Sequence, residues 1–147
     1  MKMDDINWKI LTELQQNGRM TIRELSSKIG LSGPSVSDRI QKMEQKGIIK
    51  GYRAEINYKN LGYDLGIYIS IKLRFGMNEK FEKFIQNVPE IHECHKLTGQ
   101  ECMLMRGYVR DTNHLEKLNT SLSHYGELTT SLLLSSVVSN KIVMEAY

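Results

Sequence analysis

Ser35, Ser37, Arg39, Gln41 and Lys42 fall within one short run, SVSDRIQK. Small hydroxyls, an amide and cations at this density are the groups that hydrogen-bond base edges and phosphate oxygens. The chemistry is recognition of an anionic groove rather than bond making. Val36, Ile40 and Met43 recur between them at steps of four and three, so the run reads as a helix with its apolar face turned inward and the polar set outward. Ser32 is the expected N-cap and is included in the candidate contact set. Pro34 sits in the first turn, where a missing N–H costs little, and Gly47 ends the helix. Ser35, Arg39 and Gln41 are the candidates for reading bases, with Arg39 suited to guanine or a phosphate. Lys42, Lys50 and Arg53 are the candidates for holding phosphates. Asp38 repels phosphate and is expected to cap, pair with a cation or accept from cytosine. For Arg39 a second expectation is an ion pair inside the domain, with Glu24 or Glu44.

A helix that reads DNA needs partners to aim it. Asp4 is placed to cap a first helix whose stripe is Ile6, Ile10, Leu11 and Leu14, with Trp8 at the stripe's edge and a stop near Asn17-Gly18. Thr21-Ile22-Arg23-Glu24 has the form of a capping box and opens a second helix that runs to about Ile29. Gly30 makes the exit turn, and the next helix starts near Ser32, which is helix-turn-helix spacing. Beyond Gly47, IIKGY and RAEIN read as a small two-stranded ribbon, the wing. Residues 1–57 are thus expected to form a winged helix-turn-helix.

Charge agrees with that division. The chain of 147 residues carries a net +3, but residues 1–60 hold 11 Lys+Arg against 7 Asp+Glu, whereas the remainder holds 9 against 10. A basic first part joined to a near-neutral second part fits nucleic-acid binding in the first only. The apolar content of 40% is that of a globular protein, and no run approaches the ~20 residues that span a bilayer. The opening MKMDDINWK has no apolar signal segment, so a cytoplasmic protein is expected, with Cys94 and Cys102 as free thiols.

Residues 58–66 contain two glycines and several turn formers and are expected to be a linker. Residues 67–147 then read as strand-helix-strand-strand-helix-strand. The expected strands are Gly66 to Leu73, Ile91 to Leu97, Cys102 to Val109 and Thr129 to Val138; the expected helices are Met77 to Asn87 and Asp111 or Thr112 to Tyr125. Two strand-helix-strand halves make a ferredoxin-like βαββαβ sandwich, α+β in class. Its helices cover one sheet face. The other face, Ile67, Ile69 and Ile71 or the alternate set, then needs cover from a second copy.

No Ser-His-Asp or Cys-His arrangement has a local setting for catalysis, and no glycine-rich phosphate loop is present, so no catalytic residue and no cofactor is expected. On a regular strand His92 and Cys94 would face one way and Glu93 and His95 the other, which does not gather the roughly four ligands zinc wants, and no metal site is expected.

The segments MDDINWKILTELQQNGR, TIRELSSKIGLS, VSDRIQKMEQKGIIKGYRAEINYKNLG and LTGQECMLM together resemble the leucine-responsive/AsnC, or feast/famine, transcriptional regulators over nearly the whole chain. The resemblance implies a winged helix-turn-helix followed by a ferredoxin-like (RAM-type) effector and oligomerisation domain. It also implies homodimers that assemble into octamers on double-stranded DNA, modulated by an amino acid or related metabolite. The effector region falls on Thr98, Gly99, Gln100, Glu101 and Cys102 of the hairpin and on Thr129 and Ser131 of the last strand, where glycine admits a ligand to backbone N–H groups and hydroxyls bond a carboxylate. Two departures stand out. Asn7 replaces a second Asp in the first helix. Cys102 replaces an Asp suited to an ammonium group, and Glu101 beside it points to the other strand face. Two other functions remain within reach of this fold: a nucleoid-organising protein that reads DNA shape, and a tetrapyrrole decarboxylase, against which the basic recognition helix argues.

Overall fold

A computed structural model of the chain describes residues 3–99 and 102–145, in which the polypeptide divides into two units, Met1–Glu55 with Val138–Tyr147, and Ile56–Val137.

In the first unit three helices surround one core. α1 spans Asp5–Gln16, α2 Ile22–Ile29 and α3 Gly33–Gln45. Each begins where a side chain satisfies an orphan backbone N–H. Asp4 accepts from the Asn7 N–H at 2.8 Å, Thr21 and Glu24 form the reciprocal capping box, and Ser32 accepts from the Ser35 N–H at 3.4 Å. Gly30 adopts φ 78°, the left-handed conformation that lets α2 stop and α3 begin three residues later without strain. Ile10, Leu14, Leu25, Val36, Ile40, Met43 and Ile49 form the core, drawn from all three helices and the chain just beyond them. The expected ribbon does not form: among the described residues, none between Ile48 and Asn57 joins a strand ladder. The wing is instead irregular chain pinned to α3 by the Tyr52 hydroxyl, which donates to Glu44 at 3.1 Å. The C-terminal end also differs from expectation. Residues from Val138 onward belong to this unit, where the Gln15 side-chain amide exchanges two hydrogen bonds with the Val143 backbone (2.8 and 3.1 Å) and Asn140 donates to Glu55 at 2.9 Å.

The second unit is a four-stranded antiparallel sheet in the order β2-β3-β1-β4, with β1 at Leu65–Leu73, β2 at Ile91–Lys96, β3 at Met103–Val109 and β4 at Gly126–Leu132. Helices α4 (Asn78–Ile85) and α5 (Thr112–Ser123) cover one face. Ile67, Ile69 and Ile71 alternate along β1 toward Phe81 of α4 and Leu118 and Leu122 of α5, joined by Met103, Met105 and Val109 of β3. The isoleucine set is therefore the covered set. The opposite face carries Tyr68 and Ser70 of β1, paired in register with Arg106 and Leu104 of β3 and with Ser131 and Thr129 of β4.

Two boundaries moved. Most of the expected linker is ordered: Tyr58–Leu61 forms a 3-10 turn, and Tyr58 stacks on Tyr108 with ring centres 3.9 Å apart. β4 starts earlier and stops at Leu132, short of the expected Val138. Its start is set by Gly126, where any Cβ would run into the Lys72 carbonyl oxygen, so only glycine admits the close approach of β4 to β1.

Candidate nucleic-acid interface and effector site

The solvent side of α3 brings part of the candidate set together. Ser35, Ser37 and Gln41 are exposed, and Ser35, Asp38, Arg39 and Lys42 line a shallow depression of about 380 Å³. Lys50 and Arg53 are exposed on the wing, apart from that depression. Ser32 serves as the cap and also donates its hydroxyl to Ser35 at 3.1 Å, so its first task is structural. Asp38 pairs with Lys42 one turn on, at 2.7 Å, with both side chains more than half exposed. A pair so open to solvent holds with little energy.

Arg39 pairs inside the domain, but with neither Glu24 nor Glu44. Its Nη1 donates to both oxygens of Asp4, at 2.7 and 3.0 Å, and to the side-chain carbonyl of Asn7 at 2.9 Å. Sequence reasoning considered the nearer helical glutamates; the N-cap of α1 lies next to α3 only once the three helices close. The guanidinium draws the Asp4 carboxyl below its ordinary value, an effect to which the Asn7 N–H adds. Asn7 itself is one of two buried polar residues among the described residues, and its amide oxygen is satisfied by this bond.

The effector candidates are less closely gathered. Gln100 and Glu101 lie outside the described residues. Thr98 and Gly99 are exposed at the hairpin between β2 and β3, with Gly99 at φ 111°. Cys102 packs against the sheet core, and its N–H donates to the Ile71 carbonyl at 3.1 Å. Thr129 and Ser131 share the helix-free face with Ser70 and Tyr68.

The His92–His95 segment is rearranged by a bulge between Ile91 and Glu93. His92 lies against Tyr58 and Tyr108 (4.8 and 5.4 Å between ring centres), Glu93 pairs with Arg106, and Cys94 turns to the core side, where burial raises its thiol pKa. His92 and Cys94 thus part company, contrary to the regular alternation. Sequence reasoning also missed a pairing of His114 with Glu90 at 2.7 Å, which ties the first turn of α5 to the residue before β2.

Two family descriptions match this geometry segment by segment. A winged helix-turn-helix DNA-binding domain matches residues 3–50, and an Lrp/AsnC ligand binding domain matches residues 67–143. The chain belongs to the Lrp/AsnC family. Among its relatives, the HTH-type transcriptional regulator LrpC of Bacillus subtilis is 31% identical over 93% of this chain and 95% of its own. The leucine-responsive regulatory protein of Haemophilus influenzae is 39% identical over 79% and 72%. The solved structure of B. subtilis LrpC superimposes with a TM-score of 0.90, covering 95% of this chain and 99% of that one. A Neisseria meningitidis transcriptional regulator in complex with L-Met, 29% identical, gives 0.88 over 97% and 96%. The Lrp/AsnC assignment makes the chain a DNA-binding transcriptional regulator, with the helix-turn-helix as its DNA-binding part and the sheet unit as its ligand-binding part.

Proposed function

We propose that this Lrp/AsnC-family protein acts in the cytoplasm by binding rather than by catalysis. It recognises particular DNA sequences through α3 and adjusts that binding to an amino acid or related small metabolite through its state of assembly. The observation that carries the reading is the outer side of α3, where Ser35, Asp38, Arg39 and Lys42 line one depression with no apolar side chain among them, and Ser37 and Gln41 are exposed on the same helix. Ser35, Arg39 and Gln41 read base edges; Lys42, Lys50 and Arg53 hold phosphates.

Assembly is supported by the helix-free face of the sheet. Tyr68, Leu104, Arg106 and Tyr108 are only half-covered there, and the Arg106 Nε is buried with no acceptor among the described residues. A second copy laid on that face covers the aromatic surface and places two recognition helices at successive half-sites. Thr98, Gly99, Thr129 and Ser131 remain the proposed effector contacts, completed by a neighbouring subunit. Cys102 brings no carboxylate to them.

The test is enrichment of duplexes from a randomised pool, followed by binding to the enriched duplex at several salt concentrations. The expected result is a defined, repeated half-site and an affinity that falls steeply with salt, because phosphate contacts release counterions. A folded oligomer that enriches nothing and protects unrelated DNA in an even, phased pattern would overturn sequence reading in favour of an architectural role.

A further inference from the structure

Arginine presents five N–H donors in a rigid planar fork, and the edge formed by Nε and Nη2 alone suffices for a bidentate bond to guanine or phosphate. In this chain every bond made by Arg39 uses the remaining nitrogen. Nη1 meets Asp4 Oδ2 at 2.7 Å, Asp4 Oδ1 at 3.0 Å and Asn7 Oδ1 at 2.9 Å. Nε and Nη2 meet no acceptor among the described residues and are not buried. Both partners are themselves fixed. Asp4 is the N-cap of α1, bound to the Asn7 N–H at 2.8 Å, and Asn7 is 2% exposed. The Arg39 side chain is 27% exposed and borders the depression shared with Ser35, Asp38 and Lys42 on the outer face of α3. One edge of the fork is therefore anchored to α1 and the other is free beside the residues that meet DNA.

We propose that Asp4 and Asn7 are positioning residues for DNA recognition: they grip Arg39 by Nη1 and present its Nε–Nη2 edge, already oriented, to an acceptor in the groove. This rests on the reading of α3 as the sequence-reading helix. The side chain reaches DNA with its rotamer fixed, which spares an ordering cost equivalent to roughly two- to tenfold in affinity. The opposite possibility is that Asp4 competes with DNA for Arg39. The two differ in sign. A competing carboxylate, or one that merely repels phosphate, weakens binding, and its removal tightens it.

Asp4→Asn decides between them, because asparagine caps a helix as well as aspartate but brings no carboxylate to Nη1. Binding is measured by fluorescence anisotropy at fixed salt, with the duplex enriched by the wild-type protein and with a scrambled duplex of equal length. The expected result is a roughly two- to tenfold loss on the enriched duplex with no loss on the scrambled one. The same substitution should cost nothing further in an Arg39→Met background. Asp4→Asn combined with Asn7→Asp returns a carboxylate to Nη1 from the other anchor and should restore selectivity. Enriched-duplex binding by Asp4→Asn that equals or exceeds wild type overturns the clamp, as does an equal loss in the Arg39→Met background. Thermal melts accompany each variant. Should Asp4→Asn unfold, Asn7→Leu removes the other acceptor and leaves the cap: lost selectivity supports the clamp, and unchanged selectivity overturns it. If the wild-type protein enriches no sequence, the failure lies in the reading of α3 itself.

Discussion

Lys42 and Asp38 show how one residue pair sets the character of the proposed DNA face. They lie one turn apart at 2.7 Å, both largely in solvent, so the pair is worth little to the fold and its charges matter mainly to a partner. Lys42→Ala is expected to weaken binding about equally on all duplexes and to reduce the slope of log K against log salt by about 1, read from titrations across a salt series. Asp38→Asn should do the opposite, raising affinity for unrelated DNA by removing a negative charge from the face. In the sheet unit Gly126 is a residue whose side chain is forbidden. A methyl group there meets the Lys72 backbone oxygen, and backbone cannot step aside as a flexible side chain does. Gly126→Ala should cost about 1–3 kcal/mol in urea unfolding, the range of overpacked sites. A smaller loss would mean that β4 can slide away from β1.

At the scale of elements, the parts fixed by local chemistry were legible in the sequence. Asp4, Thr21 and Ser32 are the caps expected from sequence, the last helix opens at Asp111 rather than Thr112, and each of these four side chains accepts from a backbone N–H three residues on. The helical periods of α1 and α3 pick out residues that lie in or against the core. What was not legible depended on contacts between distant segments. IIKGY and RAEIN alternate like strands, yet among the described residues no partner strand pairs with them, and the wing is held by Tyr52 and Glu44 instead. The apolar run after Thr129 looks like strand to Val138, but its pairing with β1 ends at Leu132, with a last bond from the Leu133 N–H to the Gly66 carbonyl at 2.8 Å. Arg39 could be seen to need a carboxylate, but not which one, since Asp4 is 35 residues away in sequence. The capping box of α2 yields a prediction at this scale. Thr21→Ala should cost about 1 kcal/mol, measured by thermal or urea unfolding. Bonds from the Thr21 backbone N–H and hydroxyl hold the Glu24 carboxyl below its ordinary value of 4.5. A carboxyl whose folded pKa is depressed contributes its stability above the unfolded value and loses it as pH falls through the folded one. The wild-type protein should therefore lose stability below about pH 4.5 more steeply than Glu24→Gln, in unfolding curves taken from neutral to acid.

For the molecule as a whole, the open question of assembly turns on one sheet face. The helix side of the sheet is closed by α4 and α5, with Ile69, Ile71, Phe81 and Leu122 shut off from solvent. The other side combines Tyr68, Leu104 and Tyr108 with Arg106, whose Nη2 donates to the Tyr108 hydroxyl at 3.0 Å while its Nε is orphaned. A buried donor without an acceptor costs about 1–3 kcal/mol, a penalty relieved when a second chain or ordered water supplies an acceptor. Half-covered aromatics beside it gain from the same closure. If copies meet here, a charge set into the face must oppose them without disturbing the helix-covered core. Leu104 is the position to choose, since its neighbours in sequence, Met103 and Met105, point the other way into that core. Leu104→Glu should shift sedimentation from oligomer toward monomer and, by uncoupling the two recognition helices, weaken binding to a two-half-site duplex far more than to a single half-site. Unchanged circular dichroism and melting of the isolated chain would show that the sheet survives. An oligomer that sediments as before with Glu at 104 would place the contact on another surface and leave Arg106 Nε to ordered water.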